Sequence, residues 1–126
     1  MDNNENKKGL LRQLSYAFAV RIVKMVRYLQ GEMKEFVLSK QVLRAGTAIG
    51  ALVREAEYAQ SEADFVNKLS VSLKEANETD YWLHLLHDTG SIDDDAFASM
   101  HDDCGHLMAM LTASINTVKK RLTPKR

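Results

Sequence analysis

Proline is all but absent from this chain of 126 residues, and the single one, Pro124, lies near the C-terminus. Nothing before it is barred from helix by a missing N–H or a ring clash. Cysteine is as scarce. Cys104 stands alone, so no internal disulfide can form, and the His101, Asp102 and Asp103 before it have no second cysteine to complete a zinc or redox motif. A reducing, cytoplasmic compartment is expected. No apolar run approaches the roughly 18 residues that a membrane-spanning helix needs. Arg12 and Arg21 also interrupt the apolar stretch behind the N-terminus before a signal-peptide core can form. These shortages argue against a disulfide scaffold and a membrane protein, and they favour a soluble, all-α chain.

What is present is ordinary globular material, 45% hydrophobic and 27% charged, in a length that suits one domain over residues 1–126. Net charge is zero, but its distribution is uneven. From Lys7 to Arg44 the basic residues meet only Glu32 and Glu35, and the C-terminus adds Lys119, Lys120, Arg121, Lys125 and Arg126. Between Asp88 and Asp103 every charged side chain is an aspartate. Such asymmetry suits an anionic partner or complementary contact between identical subunits, although solvated helix faces are its plainest explanation.

Apolar spacing of three and four residues marks one face of a helix, whereas a half-buried strand alternates every two. Leu11, Leu14, Phe18, Ile22, Met25 and Leu29 follow the helical spacing and predict a first helix over about 9–30. Leu38, Val42, Ala45, Ile49, Leu52 and Ala56 predict a second over about 35–59. Within it Gly46 and Gly50 each cost about 1 kcal/mol against alanine, so a neighbouring helix should approach closely there. Ser61 to Asp64 resembles a capping box and opens a third helix over about 61–88. Asp93 to Asp95 precede a fourth over about 94–122, with Phe97, Met100, Cys104, Leu107, Leu111, Ile115, Val118 and Leu122 along its face. Four amphipathic segments with short connections predict an antiparallel up-down-up-down four-helix bundle. Residues 1–8 and 123–126 are expected as disordered tails.

Chemistry has few places to reside. Di-metal bundles use Glu-x-x-His pairs; this chain has none, and Asp103-x-x-His106 is a lone, shorter substitute. His84 and His87 could share a face as metal ligands, but they read more simply as solvated histidines at a helix end. Cys104 lies on an apolar stripe and reads as core. The Gly46-x-x-x-Gly50 segment lacks the lysine and hydroxyl of a phosphate loop. No catalytic, cofactor or metal site is expected, and the chain is read as a non-enzyme. Arg44, Glu55, Glu78 and Asp80 fall at or beside apolar seams, where unpaired charge is penalised; they are expected to form ion pairs as a structural polar cluster. Arg44 with Arg54 as an anion or nucleotide binder is the functional alternative.

Three stretches carry a resemblance: Leu43-Arg44-Ala45-Gly46-Thr47-Ala48-Ile49-Gly50-Ala51 followed by Arg54-Glu55-Ala56, then Ala59 to Phe65, then Leu73 to Leu83. The chain resembles the bacterial four-helix-bundle family named for intervening sequences in large-subunit (23S) ribosomal RNA genes, over about residues 9–122. Leu52 stands where that family commonly has Asn, and Ala48 where it commonly has Ser, so no hydrogen-bonding role is carried over to those positions. The resemblance implies a four-helix bundle, a ring-like homo-oligomer with a pentamer as the expected form, and no established enzymatic activity. A related bundle is an accessory subunit to a reverse transcriptase, which makes association with RNA or another nucleic acid an expectation here. Lys7, Lys8, Arg12, Lys24, Arg27, Lys119, Lys120 and Arg121 would be the residues to touch it. Few aromatics interleave with them, chiefly Tyr16 and Tyr28, so base stacking has little support. Two readings follow: a homo-oligomeric scaffold or adaptor with weak nucleic-acid affinity, or a protein-interaction module with none.

Overall fold

A computed structural model describes the backbone of residues 3–122 and the side chains of residues 9–122. Four helices account for nearly all of it: α1 (Asn3–Gly31), α2 (Leu38–Glu57), α3 (Glu62–Asp88) and α4 (Asp94–Leu122). The described residues contain no strand. Each helix packs on its neighbour in sequence, and α4 meets α1 over a narrower contact, so the four form one bundle.

The first helix begins well before residue 9. Residues 3–8, expected as part of a disordered tail, are helical; that polar stretch has no apolar step, so periodicity is silent there. Residues 1, 2 and 123–126, the rest of the expected tails, lie outside the described residues.

The second helix is shorter than the expected 35–59 because Glu35 caps it from outside. Its carboxylate accepts the N–H groups of Val37 (3.2 Å), Leu38 (3.1 Å) and Ser39 (2.7 Å), donors that have no partner inside a helix. Burial pushes the Glu35 carboxyl up, but the hydrogen bonds from Ser39, Leu38 and Val37 outweigh it and hold the pKa below its ordinary value. Lys34, at φ 54° in the left-handed region, turns the chain into this cap.

The remaining starts follow the sequence closely. Ser61 accepts the N–H of Asp64 (3.0 Å), and Asp64 reaches back only to the N–H of Gln60 (3.2 Å). Asp93 accepts the N–H of Ala96 (2.8 Å) ahead of α4. Between them Gly90, at φ 81°, lets the chain leave α3 in a conformation that costs most residues 1–2 kcal/mol or so.

Phe18, Ile22 and Leu29 of α1, Val42 and Ile49 of α2, Leu69, Leu83 and Leu86 of α3, and Leu107 and Leu111 of α4 form the centre of the core. The close approach expected at the α2 glycines is between α1 and α2. A Cβ on Gly46 would stand 2.7 Å from Cγ1 of Ile22, and one on Gly50 would stand 3.3 Å from the backbone oxygen of Ser15. Polar ties cross the core too: Ser72 donates to the Ile49 carbonyl (2.9 Å), and the Cys104 thiol donates to the Ala76 carbonyl (3.2 Å). The indole N–H of Trp82 is buried with no partner among the described residues.

Candidate functional site: a histidine–aspartate cluster and the outer face of α1

The charged residues picked out at the seams do not form one cluster. Arg44 of α2 pairs with Glu75 (3.1 Å) and with Glu78 of α3, and the hydrogen bond it donates to Glu78 is the chief reason its pKa rises. Glu55 is exposed and makes no ion pair among the described residues, contrary to expectation, because its position on α2 points to solvent. Asp80 turns toward α4 instead of toward Arg44. Exposed pairs such as Arg44 with Glu75 contribute on the order of 0–1 kcal/mol. Arg54 lies over the Tyr16 ring at 5.6 Å and does not join Arg44 as an anion site.

The residues named for nucleic-acid contact are similarly divided. The side chains of Lys7 and Lys8 lie outside the described residues. Arg12 pairs with Glu57 (3.4 Å) and Arg121 with Glu62 (3.8 Å), each tying two helices of the bundle together. Lys24 and Arg27 are exposed on α1 with no ion pair among the described residues, and Lys119 and Lys120 are exposed on the last turn of α4. Leu11 lines a cleft of about 370 Å³ with Val53, Phe65, Val118 and Arg121, so the end of α4 lies near the beginning of α1. Lys24 is some 20 Å further along α1 at 1.5 Å per residue. The basic residues therefore make two separate groups. Arg21, beside Lys24, is held by Asp103 (2.5 Å) and Ser99 (2.8 Å) of α4.

Asp80 stands at the centre of a group that the one-dimensional pattern hides. One carboxylate oxygen is 2.6 Å from Nδ1 of His101 on α4, and the other is 3.4 Å from Nε2 of His84, one turn on along α3. One ligand atom from each of the three lies within 4.8 Å of the other two. Phe97 organises the histidine rings: His101 stacks on it at 5.2 Å, His87 stacks at 4.5 Å, and His84 meets it edge-on at 4.9 Å. His87 does not share a site with His84. It faces Asp94 (2.6 Å) and Asp88 (3.2 Å), and the hydrogen bond that Asp94 accepts from it leads the effects that raise its pKa. The available signals were Asp80 with His84 and Phe97 with His101, each pair four residues apart, but no single helix shows that the two pairs face each other.

Two further surfaces decide what the fold can do. Cys104 is buried, and desolvation, with Asp80 and Asp103 nearby, pushes its thiol up to about 12. It is no nucleophile at neutral pH, since the thiolate is the reactive form. On the outside, seven of the ten exposed large hydrophobics among the described residues belong to α1 and the turn after it: Leu10, Tyr16, Val20, Tyr28, Met33, Phe36 and Val37. With Phe18, Ile22 and Leu29 buried on its other side, α1 carries these exposed apolar side chains on its solvent side among the exposed polar ones Arg12, Gln13, Lys24 and Arg27.

Comparison with known proteins settles the family. The model of the 23S rRNA-intervening sequence protein family matches residues 7–113. The chain belongs to that family. A solved structure from Bacteroides thetaiotaomicron, a protein with unknown function from the S23 ribosomal protein family, is similar over 87% of this chain and 98% of its own. The two are 50% identical and superpose with a TM-score of 0.87. No curated protein matches the chain. Membership in the intervening-sequence family thus fixes the all-helical architecture and leaves the activity open. None of the described helices is long and apolar enough to cross a membrane.

Proposed function

We propose that the chain is a non-enzymatic, cytoplasmic, self-associating scaffold whose copies meet through the outer face of α1. The observation that carries this reading is four large apolar side chains on the solvent side of α1, Leu10, Tyr16, Val20 and Tyr28, each 37–59% exposed while the opposite side of the helix is core. Exposed apolar side chains gathered on one helix favour a contact surface, because water on them is costly and an apolar partner removes it. They span about 27 Å from Leu10 to Tyr28, long enough to seat a partner helix. The family resemblance supports a ring, with a pentamer as its expected form. Within each copy the bundle runs up-down-up-down. Supporting that order, the beginning of α1, the end of α2, the beginning of α3 and the end of α4 all contribute to the cleft around Leu11, Val53, Phe65 and Val118. The inert Cys104 thiol supports the absence of nucleophilic catalysis.

Sedimentation equilibrium tests the interface. Tyr16→Glu with Val20→Glu puts two carboxylates on the face without touching the core. The reading expects the parent chain to sediment as an oligomer and the double variant as a 14.2 kDa monomer that keeps its helix content. An unchanged oligomer in the double variant refutes it.

Nucleic-acid association is the second reading, favoured by Lys24 and Arg27, which are exposed without ion pairs among the described residues. Phosphate contact of this kind weakens steeply with salt. RNA affinity that is lost between low and moderate salt, and reduced by Lys24→Ala with Arg27→Ala, supports it; affinity indifferent to both rejects it. An unrelated protein on the same α1 face, as for an accessory subunit of a larger enzyme, is the reading left if the chain sediments as a monomer.

A further inference from the structure

We infer that Asp80, His84 and His101 form a binding site for one divalent first-row transition-metal ion, zinc foremost, that ties α3 to α4. Two imidazoles and a carboxylate are a donor set that suits zinc and its neighbours in the series, whereas magnesium and calcium take oxygen ligands. The separations suit a shared ion. Tetrahedral ligands at zinc distances of about 2.0–2.2 Å stand roughly 3.3–3.6 Å apart. His84 Nε2 and Asp80 Oδ2 are 3.4 Å apart as they stand. His101 Nδ1 is 2.6 Å from the other oxygen, Oδ1, a hydrogen bond it would give up to a shared ion, and one ligand atom from each of the three residues lies within 4.8 Å of the other two.

Three further features build the site. First, its ligands come from two helices, with Asp80 and His84 one turn apart on α3 and His101 opposite on α4, so the bundle itself holds them together. Second, the rings are oriented before any ion arrives, since Phe97 lies flat against His101 and edge-on to His84. Third, the site is reachable: the His84 and His101 side chains are 51% and 43% exposed, leaving the remaining coordination positions to water. The charges around it are acidic. Asp102 and Asp103 flank the α4 side and Asp88 and Asp94 lie beyond His87, which draws cations toward this end of the bundle; Arg21, which reaches α4 here, is engaged by Asp103 and Ser99. With three protein ligands and open positions the ion would bind reversibly and hold the two helices in register; nothing in this role requires catalysis.

Calorimetric titration of the untagged full-length chain with zinc tests the site, with His84→Gln, His101→Gln and Asp80→Asn as ligand variants and His106→Gln as a control. His106 is exposed on α4 outside the cluster. The expected result is one zinc per chain, affinity at least about tenfold weaker in each ligand variant, and no change in His106→Gln. Far-UV circular dichroism verifies that each variant is folded. In the unaltered chain, zinc should shift the ring-proton resonances of His84 and His101 and leave those of His106 in place, a readout that needs no variant at all. The absence of saturable binding, or zinc bound equally by the parent and His101→Gln chains, overturns the site and leaves a hydrogen-bonded cluster only. Zinc shifts confined to His87 or His106 overturn it as well.

Discussion

Replacing Gly46 by alanine should destabilise the protein, although the same change in a free helix does the opposite. In an open helix the substitution gains about 1 kcal/mol, because alanine has less backbone freedom to lose. At Gly46 the added Cβ would stand 2.7, 2.9 and 3.0 Å from Cγ1, Cδ1 and Cγ2 of Ile22, where carbon atoms prefer about 3.5–4.0 Å. Ile22 has no exposed surface, and its β-branch confines χ1, so Cγ1 and Cγ2 cannot both swing clear. Relief must come from the α1 and α2 backbones moving apart. Overpacking of this kind costs about 1–3 kcal/mol, and three simultaneous contacts argue for the upper half of that range. After the propensity gain the net loss is about 1–2 kcal/mol, a fall in Tm of roughly 4–8 °C. Gly105, exposed on α4 with nothing within 4 Å of its would-be Cβ, is the internal control, and Gly105→Ala should stabilise by about 1 kcal/mol. Urea unfolding followed by circular dichroism, at one fixed protein concentration, measures both. Ile22→Ala removes all three clashing atoms, so in that background Gly46→Ala should lose its penalty. A Gly46→Ala chain as stable as Gly105→Ala would refute the close contact of α1 and α2.

Other outcomes follow from the same contacts. Glu35→Ala removes the acceptor for three backbone N–H groups and should cost about 1 kcal/mol in urea unfolding. Because the folded-state pKa of Glu35 is lowered, its contribution is present above the ordinary carboxylate range and lost as pH falls through the lowered value; the parent and Glu35→Gln curves should converge at acid pH. His87 has the opposite sign. Its pKa is raised, so its contribution is full below the ordinary histidine value and disappears as pH rises through the raised one; an NMR titration of His87 should find its midpoint above the ordinary histidine value. A His87 midpoint at or below the ordinary histidine value would contradict the contact with Asp94. Ser72→Ala should cost about 1 kcal/mol by removing the buried hydrogen bond that Ser72 donates to the Ile49 carbonyl.

The helices were legible because their signal is local. Steps of three and four placed α3 and α4 within about a residue of their ends, and Ser61 and Asp93 announced two of the starts. The start of α2 was displaced because Glu35 serves it from outside the helix, through a side chain whose reach no periodicity records. The start of α1 was hidden by a polar stretch without apolar steps. Site chemistry was harder to read, since it depends on which helix faces which. Arg44 and Glu78 were picked out as charges near seams, and they do pair, but Glu55 on the same helix turns outward. Asp80 was grouped with Arg44, whereas its partners are histidines, one of them twenty-one residues away on another helix. The exposed apolar side chains of α1 are harder to read for a related reason: they stand among charged residues and follow no single helical spacing.

The most direct test of the self-associating scaffold is light scattering on the purified chain during size-exclusion chromatography, across a dilution series at low and moderate salt. Apolar contact through α1 predicts a mass several times 14.2 kDa, about 71 kDa if five copies close a ring, that does not fall as salt is raised. A 14.2 kDa monomer at every concentration, or an oligomer that dissociates with salt as charge pairing would, contradicts it.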